Sequence, residues 1–409
     1  MKNKGRGFTL VELLAVIVIL AVILVIAVPK VSEVINSSKK ASFESSAKTI
    51  ASQAEKKKME KEILEDTGSI NCSDVVKLNN TDYGNFSITF DGNTAKVTLV
   101  GKGKFEGLQI INGTKDNAKA EEIKAPVYGN AVNYVNGLYA YDASSNGLEK
   151  DTTSDANIRY VGANPNNYVE FNGETWRIIG VFGSNLKLVR DDILTNYSFD
   201  NKTPAQGIDS NYGTNDWTKS YLREFLNDYY YEGKTITCHS ETSGSTATNS
   251  TITCPDISKI NATAKSMIQK TMWNLGGIAR ETKPVNELYT KERGTVVYSG
   301  HETKSSDYIG LIYPSDYGFA STDESCGQDP FDFDGTCKNN NWLFKGVWYW
   351  TISPPSYDVR SVFGVGSGGD LSIYFAWYCS RVRPSVFLKS DIKIVSGSGT
   401  KDDAFKLEI

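Results

Sequence analysis

Histidine is almost missing from this chain, with His239 and His301 the only two in 409 residues, and no two of its six cysteines stand in a C-x-x-C spacing. Neither a zinc site of the usual Cys/His kinds nor a histidine-based general acid and base is therefore expected. No G-x-S-x-G phrase occurs, which leaves no serine-hydrolase elbow to build on. Charge of one sign is also lacking. A net charge of -4 gives no basic footprint, so nucleic acid is not an expected partner.

What is present begins at the amino terminus. A basic leader with Lys2, Lys4 and Arg6 meets an apolar run over 8–28 that only Thr9 and Glu12 interrupt. Roughly 20 apolar residues at about 1.5 Å rise span a hydrocarbon core, so the run is expected to be a membrane helix with its basic leader on the cytoplasmic side. A cleavable signal peptide has a shorter apolar region and a small-x-small cut, and neither is found here. A plain anchor explains the length of the run but not a carboxylate placed four residues inside it. Glu12 would cost a few kcal/mol unpaired at the bilayer centre, so it calls for a cationic partner.

The phrase Gly7-Phe8-Thr9-Leu10-Val11-Glu12-Leu13-Leu14, followed by Pro29, resembles the amino terminus of type IV pilins and pseudopilins. The resemblance implies a 1–7 leader that a prepilin peptidase removes after Gly7, with methylation of the new amino terminus at Phe8. It also implies that Glu12 pairs with the terminal ammonium of a neighbouring pilin subunit in the filament. Coulomb attraction in low dielectric gives that pairing a physical basis, since either charge alone is penalised there.

After Pro29 the pattern turns amphipathic, with Val31, Val34, Ile35, Phe43, Ala47, Ile50, Ala51 and Ala54 near helical spacing, and one long helix is expected over 8–65. The proline should kink or loosen it. Residues 86–90 and 94–100 read as a hairpin joined at Asp91-Gly92-Asn93, and 105–111 as a third strand, giving a small antiparallel head over 66–120. The polar stretch 121–154 reads as a linker.

A second domain is expected over 155–409. Its strands at 168–171, 174–182 and 186–190 form a meander, with Asn172-Gly173 as a type I′ turn. Asn215-Asp216 should cap a helix over 217–230, and a second helix over 262–275 should stop at Gly276-Gly277. Short strands follow at 309–313, 347–352, 359–365, 371–375, 382–388 and 392–395. The fold class is α+β.

The phrases WRIIGVF, NDWTKSYLREFLN, YPSDYGFA, WYWTISP and SRVRPSVFL resemble the C-type-lectin-like fold, in the branch shared with formylglycine-generating enzymes. The resemblance implies two helices beside a small twisted sheet, with the segment 353–378 displayed as a variable surface. The copper-dependent chemistry of that branch would need a placed cysteine pair, which Cys326, Cys337 and Cys379 do not reproduce. No enzyme activity is expected.

An even cysteine count in a chain lying mostly outside the membrane favours disulfides. Cys238 with Cys254 and Cys326 with Cys337 are short local closures, free thiols being the alternative. Cys72 and Cys379 are left without an assigned partner. Asp329, Asp332 and Asp334 cluster in the second loop and could wrap calcium, or form a solvated acidic loop. No cofactor is otherwise expected. Trp350, Tyr374, Trp377 and Tyr378 are the candidate ligand contacts, weighed against strand alternation that would bury about half of the local aromatics.

Two functions follow. One is a minor or tip pilin, anchored in the cytoplasmic membrane with its head outside, presenting a non-catalytic adhesive module to an extracellular glycan or protein. The other is a pseudopilin of a secretion or DNA-uptake system.

Overall fold

The computed structural model describes residues 10–64, 75, 82–202, 213–241, 250–279, 282–322, 324–333 and 335–409. They fall into two compact units, Met1–Lys124 and Ala125–Ile409.

The first unit is one helix on one sheet. Helix α1 (Leu10–Ile63) is continuous through Pro29. The break that a proline in mid-helix invites is absent at the level of the backbone pattern. Strands β1 (Tyr83–Asp91), β2 (Thr94–Gly101), β3 (Leu108–Gly113) and β4 (Glu121–Glu122) form an antiparallel sheet in chain order. The third strand starts three residues later than its sequence suggests, because 103–105 tightens into a 3-10 turn that buries Phe105. The apolar stripe of α1 is used from Phe43 onward. Phe43, Ala47, Ile50, Ala51 and Ala54 bury against Ala95, Val97, Leu99, Leu108 and Ile110, and the alanines let the helix lie close on the sheet. Val31, Val34 and Ile35 belong to the same stripe and are exposed. Polar ties fix the register: Glu55 accepts the Ala95 N–H at 3.1 Å and pairs with Lys115 at 2.9 Å, while Glu44 accepts the Ala120 N–H at 2.9 Å.

Among residues whose side chains are described, no helix is long and apolar enough to cross a membrane. The side chains of 10–13 and 15–29, which carry the expected span, lie outside the described set.

The second unit opens with β5 (Gly129–Asn130), helix α2 (Ala131–Asn146) and β6 (Leu148–Lys150). The expected linker over 121–154 is thus mostly folded. Ala131, Tyr134, Val135 and Leu148 enter the core, the Asn130 side chain caps α2, and Gly147 closes it in the left-handed conformation. Then come β7 (Ile158–Tyr160), β8 (Tyr168–Phe171), β9 (Glu174–Phe182), β10 (Asn185–Arg190) and β11 (Thr195–Ser198). Asn172 and Gly173 both have positive φ, as the type I′ turn between β8 and β9 requires.

The helix expected over 217–230 is broken. Asp216 caps a single 3-10 turn at Trp217–Lys219, Ser220 caps α3 (Tyr221–Glu224), and a π-helical stretch completes it at Phe225–Glu232. Strands β12 (Cys238–His239) and β13 (Thr251–Ile252) pair beyond it. The second expected helix ends early, as α4 (Ala262–Met267), and gives way to β14 (Ile268–Gln269) and β15 (Thr271–Asn274). Ile268 and Trp273 are buried while Gln269 and Met272 are exposed, a strand pattern that the helix reading missed.

Beyond β15 the unit adds α5 (Val285–Glu292), β16 (Lys304–Asp307), α6 (Pro314–Gly318) and α7 (Gly335–Asn339). Residues 309–313 are buried but form no strand, only an isolated bridge from Gly310 to Ser385. The last strands are β17 (Tyr349–Trp350), β18 (Ser361–Val365), β19 (Leu371–Phe375), β20 (Cys379–Val382), β21 (Ser385–Leu388), β22 (Lys393–Ser396) and β23 (Lys406–Glu408). The strand expected over 382–388 is interrupted at Pro384: Val382 ends β20 and Ser385 opens β21, and the two join different sheets.

One sheet runs β14-β21-β10-β9-β7-β6 with β8 added on β9, and another runs β11-β20-β17-β18-β19. A third, β23-β22-β5, ties the start of the unit to its last strands: the Ala131 N–H donates to the Ile392 carbonyl at 2.8 Å and the Asn130 side-chain amide to Ser390 at 2.6 Å. Helices and mostly antiparallel sheets make the chain α+β.

Candidate functional site

The candidate contacts Trp350, Tyr374, Trp377 and Tyr378 lie on or beside the sheet of β17 to β20. Strand β18 pairs with β19 from Ser361 opposite Phe375 to Val365 opposite Leu371, turning through the Gly-rich 366–370. Trp350 is not a surface residue. Its ring is fully buried, edge-on to Trp348 at 4.6 Å, and its Nε1 donates to the Tyr197 carbonyl at 3.0 Å. Neighbouring Tyr349 is buried as well, so this two-residue strand is covered on both faces rather than alternating in and out.

Trp377 keeps 9% of its surface, whereas Tyr374 keeps 42% and Tyr378 36%. Tyr374 lies 4.1 Å from the Trp348 ring and Tyr378 lies 4.2 Å from that of Trp377, so two exposed phenols sit on two nearly buried indoles. A side chain at Gly364 would collide with the Trp348 indole, which is why glycine stands in mid-strand there. Such a platform can stack against a ring or fill an interface. Alanine at Tyr378 is expected to weaken ligand binding by about 1 to 3 kcal/mol and to change stability by about 0.5 kcal/mol. Alanine at Trp350 is expected to cost about 3 to 5 kcal/mol of stability. Calorimetry and denaturant titration of the two variants separate contact from core.

A buried ionic cluster lies under the other large sheet. Arg159 donates from Nε to Asp151 at 2.6 Å and from Nη1 to Asp316 at 2.8 Å, and Lys187 Nζ donates to Asp316 at 2.5 Å, all four side chains being buried. Burial works to raise Asp316, but Lys187 and Arg159 outweigh it and hold the carboxyl at about 2. Lys187 faces one carboxylate and feels Arg293 and Arg159 as well, so burial prevails and brings it down to about 8. This cluster escaped the sequence reading. Its signal was a lysine set between Leu186 and Leu188, in the apolar middle of β10.

Glu292, also buried, accepts from the backbone and hydroxyl of Ser315 at 2.8 and 2.5 Å, and burial pushes its carboxyl up to about 7 against the pull of Arg293. The folded unit then holds this proton to about pH 7, while an unfolded chain releases it near the ordinary 4.5. Between those values the folded state binds more protons, so stability is expected to fall as pH rises, by at most about 3 kcal/mol. Glu292→Gln should flatten that fall. Urea midpoints at pH 5 and 7.5 measure it, and an equal fall in both proteins would refute the assignment.

Among the described residues two disulfides join Cys238 to Cys254 and Cys326 to Cys337, and Cys379 has no disulfide partner; Cys72 lies outside the described residues. In the second loop Asp329 accepts the Phe331 N–H at 3.2 Å and pairs with Lys283, so a cation there would have to displace a lysine. Asp332 is exposed, and Asp334 lies outside the described residues. Among the described residues no group of three or more His, Cys, Asp or Glu is placed to hold a metal ion.

Gly7 and Phe8 lie outside the described residues, as does the side chain of Glu12, whose backbone belongs to α1. Residues 2–28 match the prokaryotic N-terminal methylation motif. No curated protein and no solved structure matches the chain. The motif supports a type IV pilin-like or pseudopilin-like amino terminus, processed by a prepilin peptidase and assembled with other pilins. It thereby supports membrane anchoring or surface exposure, in a class that is generally structural rather than catalytic.

Proposed function

We propose that this chain is a minor or tip subunit of a type IV filament whose second unit is a non-catalytic ligand-binding head. The observation that carries the proposal is the union of a methylation motif at 2–28 with a separate compact unit at 125–409. A head of that size would crowd every position of a helical array, which favours a rare or terminal place. The exposed Tyr374 and Tyr378 supply a recognition surface that the core does not require. The C-type-lectin-like reading of the head rests on its sequence phrases and agrees with an α+β arrangement of short helices and antiparallel strands.

The test is the mature amino terminus. Mass spectrometry is expected to find N-methylated Phe8, and retention of Met1 would remove the assignment. Glu12→Val should still insert, since it deletes a costly charge, yet fail to enter filaments because a neighbour's ammonium is left unpaired. Immunogold labelling on intact cells reads that loss and also decides between filament tip and envelope. Label confined to the envelope would favour a pseudopilin of a secretion or DNA-uptake system.

A further inference from the structure

Among the described residues Lys187 is the only buried lysine. Its Nζ lies 2.5 Å from Oδ2 of Asp316, and both side chains are wholly closed to water. The rings of Phe182, Trp273, Tyr313 and Phe387 surround the ammonium at 4.3 to 5.6 Å. The pair bridges the middle of β10 and the start of α6, 129 residues apart in the chain. A buried ion pair gains its Coulomb energy only by holding two charges out of water, which is costly. Condensation to an amide would remove both charges and keep the contact.

The surroundings favour that condensation. Burial brings Lys187 down to about 8, so the free amine, the form with a lone pair to donate, is within reach near neutral pH. Arg159 Nη1 donates to Asp316 Oδ1 at 2.8 Å and polarises the carboxyl where negative charge would develop. Glu292 acts as a positioning residue: it accepts from the N–H and the hydroxyl of Ser315 and so fixes the backbone next to Asp316. Groups held at bonding distance in a fixed orientation react as if present at about 10⁵ M or more.

We propose that Lys187 and Asp316 condense within the folded head into an intramolecular isopeptide bond between Nζ and Cγ, with loss of one water. The ion pair described above is the reactant. One proton passes from Nζ to Oδ2 across the 2.5 Å hydrogen bond, which turns the ions into an amine and a carboxylic acid without drawing a proton from solvent. The Nζ lone pair then attacks Cγ, and charge rises on Oδ1 against Arg159. The Cγ–Oδ2 bond breaks as a second Nζ proton joins the departing hydroxyl to make water, leaving one hydrogen on the amide nitrogen. No oxidant or cofactor takes part, and each chain reacts once. Arg159 and Asp151 remain as a balanced pair. The bond would brace the central sheet whatever the head binds and wherever the subunit sits, so its test is independent of the filament reading.

The experiment is mass spectrometry of the full chain purified in native form, with folding checked by near-UV circular dichroism. After reduction of the disulfides, the intact mass is expected to fall one water short of that calculated for its own amino terminus. Trypsin, which needs a free lysine, should pass Lys187, and one linked species should join 178–190 to 305–338. Lys345 and Asp191 supply an internal control. They pair at 2.6 Å, but their side chains keep 24% and 11% exposure, so normal cleavage after Lys345 is expected. The double variant Lys187→Met with Asp316→Leu should show its full calculated mass. Full mass in folded wild-type protein, a water loss that persists in the double variant, or a link mapped to Lys345 or any other lysine would each overturn the proposal.

Discussion

Asp316→Ala is expected to destabilise the head by about 3 to 5 kcal/mol, the loss measured when one partner of a buried ion pair is removed. The carboxylate serves three donors at once: Arg159 Nη1 at 2.8 Å, Lys187 Nζ at 2.5 Å and the Tyr313 N–H at 2.9 Å, the last of which caps α6. Without it two cations remain in the core with less than one carboxylate each. Against a total domain stability of about 5 to 15 kcal/mol, that is enough to leave much of the protein unfolded at physiological temperature. Asp316→Asn should recover only the cap. The double replacement Lys187→Met with Asp316→Leu should be the milder change, although Arg159 then keeps only Asp151. Denaturant titration of the three variants gives the ordering, and a loss below about 1 kcal/mol in Asp316→Ala would falsify the account of the cluster.

Removal of both disulfides is expected to lower stability by about 6 kcal/mol, about 3 for each in the chain-entropy model. Cys238 and Cys254 are 16 residues apart and Cys326 and Cys337 are 11 apart, so the first closure should be worth slightly more. Cys238, Cys326 and Cys337 are buried. Reduction should therefore be slow in the native state and should accelerate on unfolding. Serine replacement of each pair, with melting followed in the presence and absence of reductant, measures both contributions. A melting temperature indifferent to reductant in the wild type would contradict them.

Much of this was legible in the sequence where the signal is local. The leader and apolar run, the Asn172-Gly173 turn and both short disulfide closures are each set by a few adjacent residues whose chemistry permits little else. What escaped depended on contacts distant in sequence. Nothing near Trp350 says that Tyr197, some 150 residues earlier, accepts its indole proton. Residues 262–275 carry apolar spacing that suits a helix, but β21 and β16 offer edges to Ile268 and to 271–274, and pairing there overrides local preference. The segment 121–154 reads as linker because asparagine, serine, aspartate and glycine interrupt its apolar residues, yet Ala131, Tyr134, Val135 and Leu148 are buried in the core of the second unit.

The sheet that joins β5 to β22 bears on mechanics. A tug arriving along the chain from residue 125 meets Tyr128, whose hydroxyl is fastened to the Gly397 carbonyl at 3.0 Å, then the β5 pairing to Lys393 and Ile394. Tension is thus received where the two ends of the head are stitched together, and must rip that short seam before it loads the tryptophan-rich interior. The seam acts as a fuse. Pulled from that side, the unit is expected to yield first at this seam, while the separate sheet β11-β20-β17-β18-β19 stays paired.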